Sequence, residues 1–207
     1  MTKTYALIST FFRKSRSALI IFASAIRQSV LISMLKIWQP SLHLGKKVSI
    51  GRRVRFKLVS GGKVIIGNGS ALEEGVFIHA EGGTIIIGSN SFIGANSQIV
   101  AHERITIGND ALIAAMCVVR DADHGFKDLS VPIRLQGHIV HPVEIGDDVW
   151  LGAHVVVTAG SVISDGAIIG ANAVVRGAIP PFAIATGVPA KVIKQRDTPL
   201  VADTSQS

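Results

Sequence analysis

The stretch VEIGDDVWLGAHVVVTAGSVISDGAIIGANAVV, residues 143–175, decides the fold. An aliphatic residue returns at every sixth position: Ile145, Leu151, Val157, Ile163, Ile169 and Val175. Gly146, Gly152, Thr158, Ser164 and Gly170 follow the first five, and Arg176 closes the run. Two places ahead of each aliphatic stands a second small or β-branched residue: Val143, Val149, Val155, Ser161, Ala167 and Ala173. Six is neither the period of a helix nor the strict alternation of a half-buried strand. It is the period of a chain that turns a corner every six residues, and three such hexapeptides make one triangular coil of about 18 residues. The aliphatic residue points into the coil, and the small residue after it lets the backbone bend. Stacked coils pair as parallel strands, and several are required before the inward residues are covered.

The same ladder runs toward the N-terminus. Ile107, Ile113 and Val119 form one coil, Ile87, Ile93 and Ile99 another, and Ile66, Leu72 and Ile78 a third, with Ile50 and Phe56 as a frayed first turn. Glycine follows the inward residue at 67, 88, 94, 108, 146, 152 and 170. The expected domain is therefore a parallel β-helix over residues 48–195, interrupted by one excursion at about 121–142.

Charge is distributed unevenly. Residues 1–60 carry twelve Lys and Arg and no Asp or Glu; the other 147 carry nine basic and fourteen acidic residues, so +12 and −5 give the net +7. Residues 1–47 form a basic N-terminal segment, within which 5–38 read as amphipathic helix with apolar residues at 19, 22, 26, 30 and 34. Its longest uncharged run, Ser17 to Ile26, is ten residues, short of the ~18–20 needed to span a bilayer. A helix packed on the coils or a neighbouring subunit is one reading, and an interfacial helix on an anionic membrane surface is the other. Nucleic acid is not expected, because no stacking aromatics or binding motif accompany the charge. Cys117, the single cysteine, takes an inward position and reads as a small hydrophobe. With no disulfide possible within the chain, a reducing, cytoplasmic setting is expected, with possible peripheral contact at the membrane's inner face. Residues 196–207 read as a flexible tail.

The excursion opens with VVRDADHGF, and His124 stands where the chain leaves the coil. An imidazole at a scaffold edge, beside Asp121 and Asp123, suits a general base near neutral pH. Three segments carry a wider resemblance: ITIGNDALIAAMCVVRDADHG (105–125), PVEIGDDVWLGAHVVVTAGSVISDGAIIGANAVV (142–175) and IPPFAIATGVPAKVIK (179–194). With these the chain resembles the hexapeptide-repeat acyltransferases, in the branch of galactoside, maltose and O-antigen or exopolysaccharide O-acetyltransferases. The resemblance implies a left-handed β-helix, a homotrimer with sites between subunits, and acetyl-CoA as co-substrate without a metal. It implies that His124 takes the proton of an acceptor hydroxyl, that Ala153 N–H receives the oxyanion, and that Asp121 or Asp123 is the candidate to orient the ring. Cofactor contacts are implied at Ala153, Ala171, Arg176, Lys191 and Lys194, with Trp150 beside them as a packing residue.

One position departs from that pattern. Galactoside-type enzymes have an acceptor-binding Asn where this chain has Gly94. Asn96 lies two residues on, which strand alternation would place on the same side. Gly94, Asn96 and His102 are the substrate-side candidates, and a glycan or lipid-linked sugar is the expected acceptor. Amino-sugar N-acetylation remains open on the same scaffold, since one base serves an amine or a hydroxyl. A non-catalytic β-helix scaffold is the reading from another class. Zinc bound by His79, His102 and His124 is disfavoured, because their offsets from the ladder residues differ.

Overall fold

The computed structural model describes Val30, residues 33–35 and residues 37–196. The chain divides into two compact units, residues 1–40 and 41–207. In the first, Val30, residues 33–35 and residues 37–38 are helical, and Val30, Met34, Ile37 and Trp38 are all exposed. The rest of the helix expected over 5–38, and the tail from 197, lie outside the described residues. Among the described residues no helix is long and apolar enough to cross a membrane.

The second unit is a nearly all-β, left-handed parallel β-helix. Three sheets run along it as the faces of a triangular prism, with seven, eight and six strands. They make six complete coils and two sides of a seventh. The first face begins at Leu42–Leu44, which pairs in parallel with Val64–Ile66, so the rhythm opens six residues ahead of Val48.

Register is strict. On the first face Ile66 pairs with Ile87, Ile87 with Ile107, Ile107 with Ile145 and Ile145 with Ile163. Leu72, Ile93, Ile113, Leu151 and Ile169 form the second column, and Ile78, Ile99, Val119, Val157 and Val175 the third. All fifteen are at most 2% exposed, because each is covered above and below by its counterpart in the next coil. The residue two places earlier is buried as well. Where it is serine, its hydroxyl reaches the next coil: Ser70 Oγ donates to Gly88 O (2.6 Å) and Ser91 Oγ to Gly108 O (2.7 Å). A buried hydroxyl without such a partner would carry a desolvation cost.

The corners differ from the expectation in one respect. The left-handed residue is the third after the inward aliphatic, as at Asn90, Asn96, Asp110, Asp148 and Asn172, whose φ lies between 53° and 61°. Asn and Asp tolerate this region better than most side chains. The glycine directly after the aliphatic serves clearance instead. A Cβ on Gly88 would sit 2.5 Å from the backbone of Gly108 in the next coil. The bend expected at that glycine therefore falls two residues later.

Candidate active site

The fourth coil ends on its third face at Val118–Arg120, and the chain then leaves the prism as an arm. Ala122–His124 runs antiparallel to His138–Val140, closed by a single 3-10 turn at Ile133–Leu135. Gln136 ties the arm's loop: its Nε2 donates to the carbonyls of Asp128 (2.8 Å) and Val131 (2.7 Å), and its Oε1 accepts the Asp128 N–H (3.0 Å). The chain re-enters the first face at Val143–Ile145 without losing register.

This arm places His124. Gly125 N–H donates to Gly137 O (3.0 Å) and His141 N–H to Asp121 O (2.8 Å), so the odd-numbered positions form the hydrogen-bonded pairs. His124 and His138 are directly opposite at a non-hydrogen-bonded pair, where side chains on one face approach most closely. Their ring centroids are 4.6 Å apart. His138 also meets His102, at the corner after the third face of the preceding coil, with centroids 4.5 Å apart. Three imidazoles thus line up at one corner of the prism. Desolvation comes first in holding His138 below the usual imidazole range, followed by the His102 and His124 imidazoles; Glu81 opposes this and Arg120 adds to it.

His79 belongs to the same neighbourhood. Its ring is buried, stacked on Phe77 at 5.7 Å, with Nε2 3.7 Å from a Glu81 carboxylate oxygen. Burial and then Lys57 lower its pKa, with Glu81 opposing and smaller lowering from His102 and Arg120.

Neither aspartate is placed to orient His124. Asp121 is fully buried, and its carboxylate accepts the N–H groups of His102, Glu103 and Arg104, each at 2.8 Å. It clamps the corner that carries His102. Asp123 alternates with His124 along the strand, pairs with Ile139, and faces the other side of the arm.

A second line of candidates runs along a different corner, between the second and third faces. Gly94, Asn96, Ala153 and Ala171 all lie in it, linked coil to coil: Met116 N–H donates to Ala95 O (2.9 Å), His154 N–H to Ala115 O (3.0 Å) and Asn172 N–H to Ala153 O (2.9 Å). The Ala153 N–H itself donates to no described residue. Alternation does not relate Gly94 to Asn96, because the strand ends at Ile93 and both residues belong to the turn. A Cβ on Gly94 would lie 2.5 Å from the Ala114 carbonyl carbon, so no side chain fits there.

Residues 142–177 match the bacterial transferase hexapeptide family (six repeats), and residues 84–120 match the hexapeptide repeat of succinyl-transferase. The matched segments are hexapeptide repeats. A Mycobacterium tuberculosis protein named a probable acetyltransferase is 37% identical over 177 residues, 75% of this chain and 59% of that one. An Escherichia coli protein named for O-acetyl transfer in lipopolysaccharide biosynthesis is 38% identical over 120 residues, 55% of this chain and 61% of that one. The match thus spans about three fifths of either relative. Among solved structures, the Bacillus cereus N-acyltransferase AntD, in complex with dTDP and 3-hydroxybutyryl-CoA, has the same fold. Its TM-score is 0.67 at 24% identity, covering 79% of this chain and 88% of that one.

The remaining candidates of this hexapeptide-repeat chain fall on the second face and the far corner. Lys191 and Lys194 are exposed on the last strand, which runs antiparallel to Ala183–Thr186. Trp150 is 47% exposed between Leu112 and Ile168, beside a shallow hollow of about 280 Å³ where Arg196 bridges to Asp148 at 2.8 Å. Arg176 follows the third face and is separated from the Ala153–Ala171 corner by that face. Cys117 is fully buried, its Sγ 3.2 Å from Gly152 O, and burial pushes the thiol pKa up. Among the described residues no three His, Cys, Asp or Glu are grouped to hold a metal ion. Sequence reasoning missed His138 and the burial of His79. The flanking glycines of FKDLSVPIRLQG, at 125 and 137, were the signal for a closed arm that pairs His124 with His138.

Proposed function

We propose that this chain transfers an acetyl group from acetyl-CoA to a sugar hydroxyl, with His124 as general base, in the assembly of a cell-surface glycan. The observation that carries the reading is the placement of His124 on an arm built at the prism's corner, with its imidazole exposed. A sugar hydroxyl becomes a competent nucleophile when a positioned base takes its proton as the bond to the thioester carbon forms. The carbonyl oxygen then turns to oxyanion and needs an N–H donor, for which the unpaired Ala153 N–H is the candidate. Collapse of the tetrahedral adduct breaks the C–S bond and returns the proton to the CoA thiolate.

His124 and Ala153 stand at different corners of one prism, separated by a face about six residues wide, roughly 15–20 Å at ~3.3 Å per residue. A base and an oxyanion donor must both lie within ~3 Å of the reacting groups. The reading therefore places each site between two copies of the chain, His124 from one and the Ala153–Ala171 corner from the other, as a homotrimer supplies. Lys191 and Lys194 then offer charge to the nucleotide phosphates from the same side as that corner. The relatives named for acetyl transfer support the donor.

The test is thiol release from acetyl-CoA with free sugars, nucleotide sugars, amino sugars and lipid-linked glycan, wild type beside His124→Ala. Release with a hydroxyl acceptor, lowered by about 10²–10⁴-fold in the variant, is the expected result. Product analysis showing acylation of nitrogen replaces O- by N-transfer. Equal release by both proteins removes His124 from the chemistry. Lack of acetyl-CoA binding returns the chain to a scaffold.

A further inference from the structure

The imidazole of His138 is the unexplained part of the corner. The mechanism above uses His124 alone, yet the arm brings His138 opposite it and against His102 in the preceding coil. The arrangement is built from several sides. Asp121 fixes the His102 corner through three N–H groups, and the antiparallel pairing fixes 124 against 138. His124 at the end of a two-stranded arm has only that pairing to define where its ring sits. A ring tilted against it on one side, itself tilted against His102 on the prism, restricts the remaining rotamers.

We propose that His138 is a positioning residue, its ring forming the shelf between His102 and His124 that holds the His124 imidazole toward the acceptor. The catalytic part of this rests on the reading of His124 as base. Aromatic pairs at centroid distances of ~4.5–7 Å are favourable when offset or tilted, and the interplanar angles here are 36° to His124 and 35° to His102. Stacking of this kind needs His138 neutral, since an imidazolium between two other imidazoles meets like charge once either of them protonates. Desolvation and the two neighbouring rings shift it in that direction; Arg120 acts the same way and Glu81 opposes. The proposal assigns His138 no proton transfer. It acts on geometry, and a misplacement of ~1 Å in a reacting group can cost up to ~10²-fold in rate.

His138→Ala and His138→Phe test it together, with two readouts. The first is steady-state kinetics: His138→Ala lowers kcat by about 10–100-fold, leaves KM for acetyl-CoA unchanged, and His138→Phe, which keeps a ring on the shelf, regains most of the loss. The second needs no turnover. Trypsin cuts after Arg120 and Lys127, so the peptide 121–127 carries His124 as its single histidine. Its carbethoxylation by diethylpyrocarbonate, followed by mass spectrometry, should be slow in wild type, several-fold faster in His138→Ala and slow again in His138→Phe. Wild-type labelling in His138→Ala overturns the proposal, as does a His138→Phe protein as reactive as His138→Ala. A lowered unfolding temperature that accounts for both changes also overturns it, making His138 a stabilising residue only. If His124→Ala keeps full turnover, the base assignment fails while the labelling still decides the shelf.

Discussion

Gly94 shows how a residue can be misjudged when its chemistry is considered before its space. A related pattern places an acceptor-binding Asn at this position, yet a Cβ here would press 2.5–2.6 Å from the Ala114 and Ala115 backbone. Gly94→Asn should therefore add no acceptor contact and should destabilise the coil stack by about 1–3 kcal/mol, the usual range for overpacking, read as a lowered unfolding midpoint in urea. A more stable variant with a new acceptor preference would reverse that reading. Two histidines, the buried His79 and the exposed His138, make a second residue-scale prediction. His79 and His138 both have folded-state pKa values below the ordinary 6.5. Just below 6.5 the unfolded chain binds more protons than the folded one, so stability rises with pH through that window. It is lost as pH falls from 6.5 toward the depressed folded values, and below those the penalty is constant. His79→Leu should flatten the dependence of unfolding temperature on pH between 5 and 7; an unchanged slope assigns it to other groups.

At the scale of elements, the corner at 102–104 and the arm form one construction. Both oxygens of Asp121 are used by backbone N–H groups, so Asp121→Ala leaves three donors without their acceptor. A loss of about 1–3 kcal/mol is expected for a buried polar group stripped of its partner, and Asp121→Asn, keeping one acceptor oxygen, should fall between. The same variants should speed carbethoxylation of His124, because the His102 end of the imidazole row loosens. Faster labelling without lowered stability would show that the carboxylate does more than hold a corner. The arm itself was legible as an interruption at about 121–142, and its internal pairing was not. A six-residue period announces itself through repetition. A single hairpin closed by a clamp between Asp128 and Gln136, eight positions apart, repeats nothing.

For the whole molecule, the fifteen inward aliphatics from Ile66 to Val175 were readable because each coil needs the same residue at the same place, and a departure at Ile145 or Leu151 would leave a column uncovered. Three things were not readable. The positive-φ residue sits two places after the corner glycine, since coil-to-coil clearance and chain reversal are separate steric demands met by separate residues. Alternation failed between Gly94 and Asn96 because it holds only inside a strand. The resemblance implied sites between subunits without saying which corners supply them, and His124 and Ala153 occupy different corners of the chain that carries them. From that separation follows a mixing prediction. Ala153→Pro removes the N–H and His124→Ala removes the base, so each homo-oligomer should turn over at least about 10²-fold more slowly. Co-expressed, they should recover activity through sites that join a wild-type Ala153 corner to a wild-type His124. Absence of recovery in mixed oligomers, verified by mass, would return both groups to a single chain.

Coil four offers its lower edge to coil five, yet the chain spends residues 121–142 elsewhere before Val143 arrives to pair with Ile105. On a ribosome adding about 5–20 residues per second, that leaves Ile105–Ile107 and Leu112–Ile113 open to solvent for roughly one to four seconds. Open strand edges of this kind template pairing with other chains. Codon choice across the arm, and not the stability of the finished prism, should then set how much of the newly made protein is lost to aggregation.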